Sequence, residues 1–249
     1  MSEQNFAGRT AIIVGGASGM GLLAGQDLAK QGATVILADV NGEKVEALAA
    51  DIRANGGNAY GVKCDVRKVE DIENAVAFTR EKSGSVDIMI YTAGGFAGRI
   101  FNCPEPFQSR PYEVLDWGID VNLKGALFFC RAVIGTMIEQ KRGVMIVLGS
   151  IDGVTGSAWS VDYSAAKSGM IGMVKGLALL GAPHNVRACC VSPGPVLTRA
   201  AMANMPTPMG RAAEPQEVVD LILYLASDKA AFISGDNYLI DGARACMVR

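Results

Sequence analysis

Histidine is nearly absent from this chain: His184 is the only one in 249 residues. That argues against a histidine-based nucleophile relay and against a multi-histidine centre, and no metal site is expected. Aromatic residues make up only 6% of the sequence, so the core must be largely aliphatic. Charge of one sign is not in excess. The net charge of −2 offers no electrostatic footprint for nucleic acid or an anionic membrane. No apolar run reaches the length of a transmembrane helix. Residues 1–8 are polar and do not resemble a signal peptide. The six cysteines (Cys64, Cys103, Cys130, Cys189, Cys190 and Cys246) show no C-x-x-C spacing. Cys64, Cys130, Cys189 and Cys190 lie in apolar runs and read as small core residues. A cytoplasmic location is expected.

What is present is alternation. Short β-branched runs at 10–14, 34–38, 59–63, 87–91, 144–148, 186–191 and 237–240 read as strands. Amphipathic stretches at 19–31, 43–55, 69–83, 112–140, 161–180 and 214–225 read as helices between and after them. Several strands are apolar at every position, as Ala11-Ile12-Ile13-Val14 is, which is the pattern of strands covered on both faces. The fold class expected is α/β: a single doubly wound Rossmann domain over 1–249, with a mostly parallel seven-stranded sheet and helices on both faces. Two stretches, 95–111 and 193–215, break the pattern. Both leave from the carboxyl edge of the sheet, where ligands bind in such folds, and read as substrate loops.

The turn Gly15-Gly16-Ala17-Ser18-Gly19-Met20-Gly21 joins the first strand to the first helix. Glycines there let backbone approach a pyrophosphate, and the helix start offers free N–H groups. Asp39 ends the second strand without a basic neighbour. Its carboxylate can accept hydrogen bonds from a ribose 2′-hydroxyl and repels a 2′-phosphate, so NAD is favoured over NADP. A helix-capping role for Asp39 is the bland rival. Asp65 and Val66 are candidates for contact with an adenine ring. Tyr163 and Lys167, four apart on one helix, can converge on one point with Ser150, which ends the strand before them. A phenol beside a cation, with a hydroxyl to hold a substrate oxygen, suggests proton transfer at that oxygen.

This ordered set resembles the short-chain dehydrogenase/reductase family, in its compact form, over essentially the whole chain. The glycine turn, Asp65-Val66, Thr92-Ala93-Gly94, Asn122, Ser150, Tyr163, Lys167, Pro193-Gly194-Pro195-Val196-Leu197-Thr198 and Asp241-Gly242 carry the likeness. The resemblance implies hydride transfer between a nicotinamide and a carbon bearing oxygen. It makes Tyr163 the acid or base and Lys167 the group that lowers its pKa and bonds the nicotinamide ribose. Ser150 would polarise the substrate oxygen, and Asn122 would hold a water linking Lys167 to solvent. Gly15, Ser18, Gly19, Met20, Gly21, Asp39, Asp65, Val66, Ala93 and Gly94 would contact the dinucleotide, together with Tyr163, Lys167, Pro193, Gly194, Val196 and Thr198. Two departures stand out: Val14 where the family usually has Thr, and Tyr91-Thr92 where it usually has Asn-Asn. Both affect bracing more than chemistry.

Phe96, Trp159, Met202 and Met205 are expected to line an apolar substrate pocket, where no Arg or Lys cluster stands out as a clamp for a phosphate or carboxylate and Arg99 and Arg199 are the candidates for one. That favours an apolar or cyclic secondary alcohol or ketone, steroid-like in the extreme. The rivals are an NADPH-dependent 3-ketoacyl-thioester reductase and a non-catalytic dinucleotide-binding sensor or structural subunit. The partners expected are a small-molecule substrate and further copies of the chain, as a homotetramer or dimer built on helices 112–140 and 161–180. No nucleic acid or membrane partner is expected.

Overall fold

The computed structural model describes residues 5–247; the outermost positions of the reading 1–249 lie outside the described residues. Seven strands form one sheet: β1 (Thr10–Val14), β2 (Thr34–Asp39), β3 (Asn58–Lys63), β4 (Ile88–Tyr91), β5 (Gly143–Leu148), β6 (Val186–Pro193) and β7 (Asn237–Ile240). Their order is β3-β2-β1-β4-β5-β6-β7, and every pairing is parallel.

Side chains alternate across a strand, so a strand buried on both sides feeds two cores. In β1, Ala11 and Ile13 join one core while Ile12 and Val14 join the other, and all four are almost fully buried. Helices α1 (Gly19–Lys30), α2 (Gly42–Ala54) and α9 (Pro215–Ala226) cover the first face through Leu28, Val45 and Ile222. Helices α3 (Val69–Ser83), α6 (Gly125–Gln140) and α8 (Val161–Gly181) cover the second through Ile72, Phe129 and Met170.

The strand order reverses between β1 and β4, which are neighbours although β2 and β3 intervene in sequence. The crevice beyond their carboxyl ends is where such sheets bind ligands.

Helix 112–140 is less regular than its pattern predicts. It comprises α5 (Tyr112–Ile119), a π turn over Asp120–Lys124, and α6. The two halves form one continuous stretch of 29 residues. By length and composition that helix could cross a membrane, contrary to the expectation that no segment would qualify; half of its apolar window is buried within this fold. The loops are also partly ordered. Helix α4 (Ala97–Ile100) sits in 95–111, and α7 (Asp152–Thr155) follows Ser150. In 193–215 a bridge between Val196 and Ala213 ties the ends together, and a 3₁₀ turn over Ala200–Asn204 forms the tip.

Candidate active site

Two clefts open at the carboxyl edge of the sheet. The first, about 380 Å³, lies over the switch point. Gly15, Ser18, Gly19, Met20, Gly21, Asp39, Asp65, Val66, Ala93, Gly94 and Thr198 all line it. Its glycines have separate reasons. A Cβ on Gly15 would stand 2.6 Å from the Ala93 nitrogen, and one on Gly21 would stand 2.5 Å from the Gly15 oxygen. Gly19 has open space before it and a φ of +56°, so backbone faces the cleft at the start of α1. The Ser18 side chain makes no capping bond there. A tight glycine turn with an uncapped helix start suits a pyrophosphate, and the residues present therefore fit a dinucleotide.

Asp39 is half-buried; its Oδ2 accepts from Ala17 N at 3.2 Å and its Oδ1 from Asn41 N at 3.1 Å. It is not the helix cap. Asn41 caps α2, accepting from Lys44 N at 3.1 Å. Asp65 is more committed than its proposed adenine contact requires: Arg67 grips both its oxygens, at 2.9 and 2.6 Å, and holds its carboxyl below the usual carboxylate range. Arg67, Val40, Ile100 and Trp117 also line this cleft and carry no sequence signal that marks them.

The second cleft, about 550 Å³, adjoins the first and shares Met20, Leu148 and Thr198 with it. Ser150, Tyr163, Pro193, Gly194, Val196, Phe96, Trp159, Met202 and Met205 line it. Met209 does not; it is exposed and lies at a separate small cavity. Tyr163 is in the first turn of α8, with Lys167 one turn deeper. Ser150 follows β5, and its Oγ accepts from Asp152 N at 3.2 Å, which leaves the hydroxyl hydrogen free to donate.

The electrostatics differ from the expected pairing. Burial pushes the Tyr163 phenol up to about 12, while Ser150, Arg99 and Arg199 pull it down. Burial also brings Lys167 down to about 8. Lys167 Nζ donates to Leu148 O at 2.7 Å and lies 5.4 Å from the centre of the Tyr163 ring. Its ammonium is thus held by the Leu148 carbonyl beside the Tyr163 ring.

Asn122 also has another occupation. It is fully buried in the π turn. Its Oδ1 accepts from Gly95 N at 2.9 Å, and its Nδ2 donates to Gly95 O at 3.0 Å and Gly118 O at 2.8 Å. The amide clamps the helix to the loop after β4, using both of its N–H groups and one lone pair of its oxygen. Lys167 and Asn122 line neither cleft; they stand behind them.

The two departures are accommodated locally. Thr92 Oγ1 donates to Val14 O at 2.9 Å, bracing the turn. Tyr91 hydroxyl donates to Val121 O at 2.6 Å, bracing the π turn. A fully buried ion pair, Arg110 with Asp162 at 3.1 Å, ties loop 95–111 to the residue before Tyr163. Arg110 also donates to Trp159 O at 3.2 Å and stacks over Phe96 at 4.9 Å, so it orders two pocket walls at once.

Comparison with known proteins agrees with this architecture. The short chain dehydrogenase family model matches residues 9–208. An uncharacterized oxidoreductase of Mycobacterium bovis is 35% identical, across 95% of this chain and 96% of its own. A cyclopentanol dehydrogenase of Comamonas is 32% identical, across 94% of this chain and 96% of its own. The crystal structure of gox2181 superposes with a TM-score of 0.89 at 32% identity, covering 98% of both chains.

Proposed function

Because this chain belongs to the short-chain dehydrogenase/reductase family, an oxidoreductase family that uses NAD(P) and acts on CH–OH groups, we propose that it transfers a hydride between NAD and a secondary alcohol or ketone with an apolar or cyclic skeleton. The observation that carries this reading is the seam between the clefts. A dinucleotide-shaped groove and a pocket holding Ser150 and Tyr163 share the wall Met20, Leu148 and Thr198.

A bound nicotinamide would supply the hydride for the carbonyl carbon in reduction and would accept one from the carbinol carbon in oxidation. Ser150 donates its free hydrogen to the substrate oxygen and fixes its place. Tyr163 gives that oxygen a proton in reduction and removes it in oxidation, a role worth about 10²–10⁴-fold. A phenol lifted by burial keeps its proton at neutral pH; to give it up more easily, or to act as a base, it needs cations close by, and Arg99 and Arg199 supply part of that field. Lys167 stands one turn deeper and would hold the nicotinamide ribose only by turning its ammonium from the Leu148 carbonyl towards the cleft. Val196 and Thr198 would hold the carboxamide, and Asp39 the adenosine ribose.

The test is absorbance at the reduced-nicotinamide band with NAD⁺ or NADP⁺ and a panel of secondary alcohols. NAD⁺ should support turnover better than NADP⁺. Asp39→Ala should narrow that preference by about tenfold or more, since it removes a charge-assisted contact and a repulsion together. An unchanged preference counts against the role of this carboxylate.

A further inference from the structure

Composition hides a charge asymmetry in the substrate cleft. Its walls include three arginines, Arg99, Arg199 and Arg244, and one carboxylate, Asp152. Asp152 Oδ2 is taken by the Ser160 hydroxyl at 2.9 Å. Among the described residues, none of the three arginines has an acidic partner within ion-pair distance. Arg244 is spent on the backbone oxygen of Pro206. The other two are not so committed. Arg99 lies against Gly95, where an added Cβ would meet its guanidinium at 3.2 Å. Arg199 has only the Met202 sulfur, at 3.4 Å.

Two guanidinium groups without counter-charges, on opposite loops around one pocket, repel each other. Partial burial first, and Arg99 second, hold the Arg199 pKa below the ordinary guanidinium value, in keeping with two like charges lining one cleft. Such an arrangement is stabilised by an anion arriving between them. Guanidinium forks match carboxylate geometry and bind it more strongly than neutral acceptors. Between them the wall mixes apolar Phe96, Trp159, Met202 and Met205 with hydroxyl side chains.

Resting on the hydride-transfer reading, we infer that the substrate is an acid: a hydroxy- or oxo-carboxylate whose carboxylate seats between Arg99 and Arg199 while its carbon skeleton lies against Phe96, Trp159 and Met202. Both arginines are exposed at the rim, so a neutral replacement removes charge without opening the core.

The test uses calorimetry on the NADH-loaded enzyme, with cyclohexanecarboxylate against cyclohexanecarboxamide and octanoate against octanamide. At least one acid should bind about tenfold or more tighter than its amide, as expected for losing a charged hydrogen bond. Arg99→Gln and Arg199→Gln should each erase most of that difference while leaving NADH affinity unchanged. Equal binding of acid and amide in both pairs would overturn the inference. So would variants that weaken NADH binding instead, since the arginines would then belong to the dinucleotide. A parallel assay follows NADH consumption with 4-oxocyclohexanecarboxylate and its methyl ester. Selective acid binding without consumption of either ketone would leave the carboxylate site standing and count against the hydride-transfer reading. Faster consumption of the ester would overturn the carboxylate site alone.

Discussion

Lys167 is held in the interior with its ammonium on Leu148 O, and burial brings its pKa from 10.5 to about 8. A cation whose folded pKa lies below its unfolded one destabilises the fold wherever both states are protonated. The penalty is full below pH 8 and fades between pH 8 and 10.5, where the folded chain sheds the proton first. Lys167→Met should therefore gain about 2 kcal/mol of unfolding free energy at pH 7, after allowance for the lost hydrogen bond. That gain should shrink as pH rises through the same window. Urea denaturation at pH 7 and pH 10 checks both parts. A variant less stable than the parent at pH 7 would show that the Leu148 contact outweighs desolvation. The position of Lys167 relative to Tyr163 was legible in the sequence because residues four apart share a face. Where its ammonium points was not, since that depends on a carbonyl supplied by another strand.

The π turn over Asp120–Lys124 shows how an element-level irregularity serves the site. An added residue in one helical turn leaves carbonyls without regular partners, and such turns recur at functional sites. Tyr91 hydroxyl takes the Val121 carbonyl, and it reaches there because Gly125 has no side chain; a Cβ on Gly125 would stand 2.6 Å from that hydroxyl. Gly125→Ala should cost about 2 kcal/mol by overpacking. Tyr91→Phe should cost about 1 kcal/mol by orphaning the carbonyl. In combination the two should cost less than their sum, because the phenylalanine removes the atom that the new methyl strikes. Thermal denaturation of the three variants measures the coupling, and strict additivity would refute the contact. The sequence shows Tyr91 as a departure from the family pattern. Only the packing shows that it replaces a polar brace with another polar brace. The π turn itself leaves no mark in the helical pattern of 112–140.

At the scale of the whole molecule, the two cores follow from inner strands apolar at every position, as β1 is, and the glycine turn and Asp39 fall where the pattern puts them. Arg244 does not, because it reaches the cleft from a distant segment that only the fold brings beside Arg99 and Arg199. The expected apolar faces of helices 112–140 and 161–180 are partly used already: Phe129, Ile134 and Met170 are buried in the core. What remains outside is Tyr112 at 83% exposed, Leu127 at 47%, Leu179 at 80% and Leu180 at 55%. Large exposed apolar groups on the two longest helices are where further copies of the chain would pack in the expected homo-oligomer. A homo-oligomer, dimer or tetramer, should appear in light scattering at micromolar concentration, and Leu127→Glu should weaken it. A monomeric parent would refute this. Hydride transfer with Tyr163 as the proton-handling group is most directly tested by Tyr163→Phe, assayed by reduced-nicotinamide absorbance and by NADH binding. The expected result is turnover lower by about 10²–10⁴-fold with NADH affinity retained. Turnover within a few-fold of the parent, with the nucleotide still bound, would contradict it.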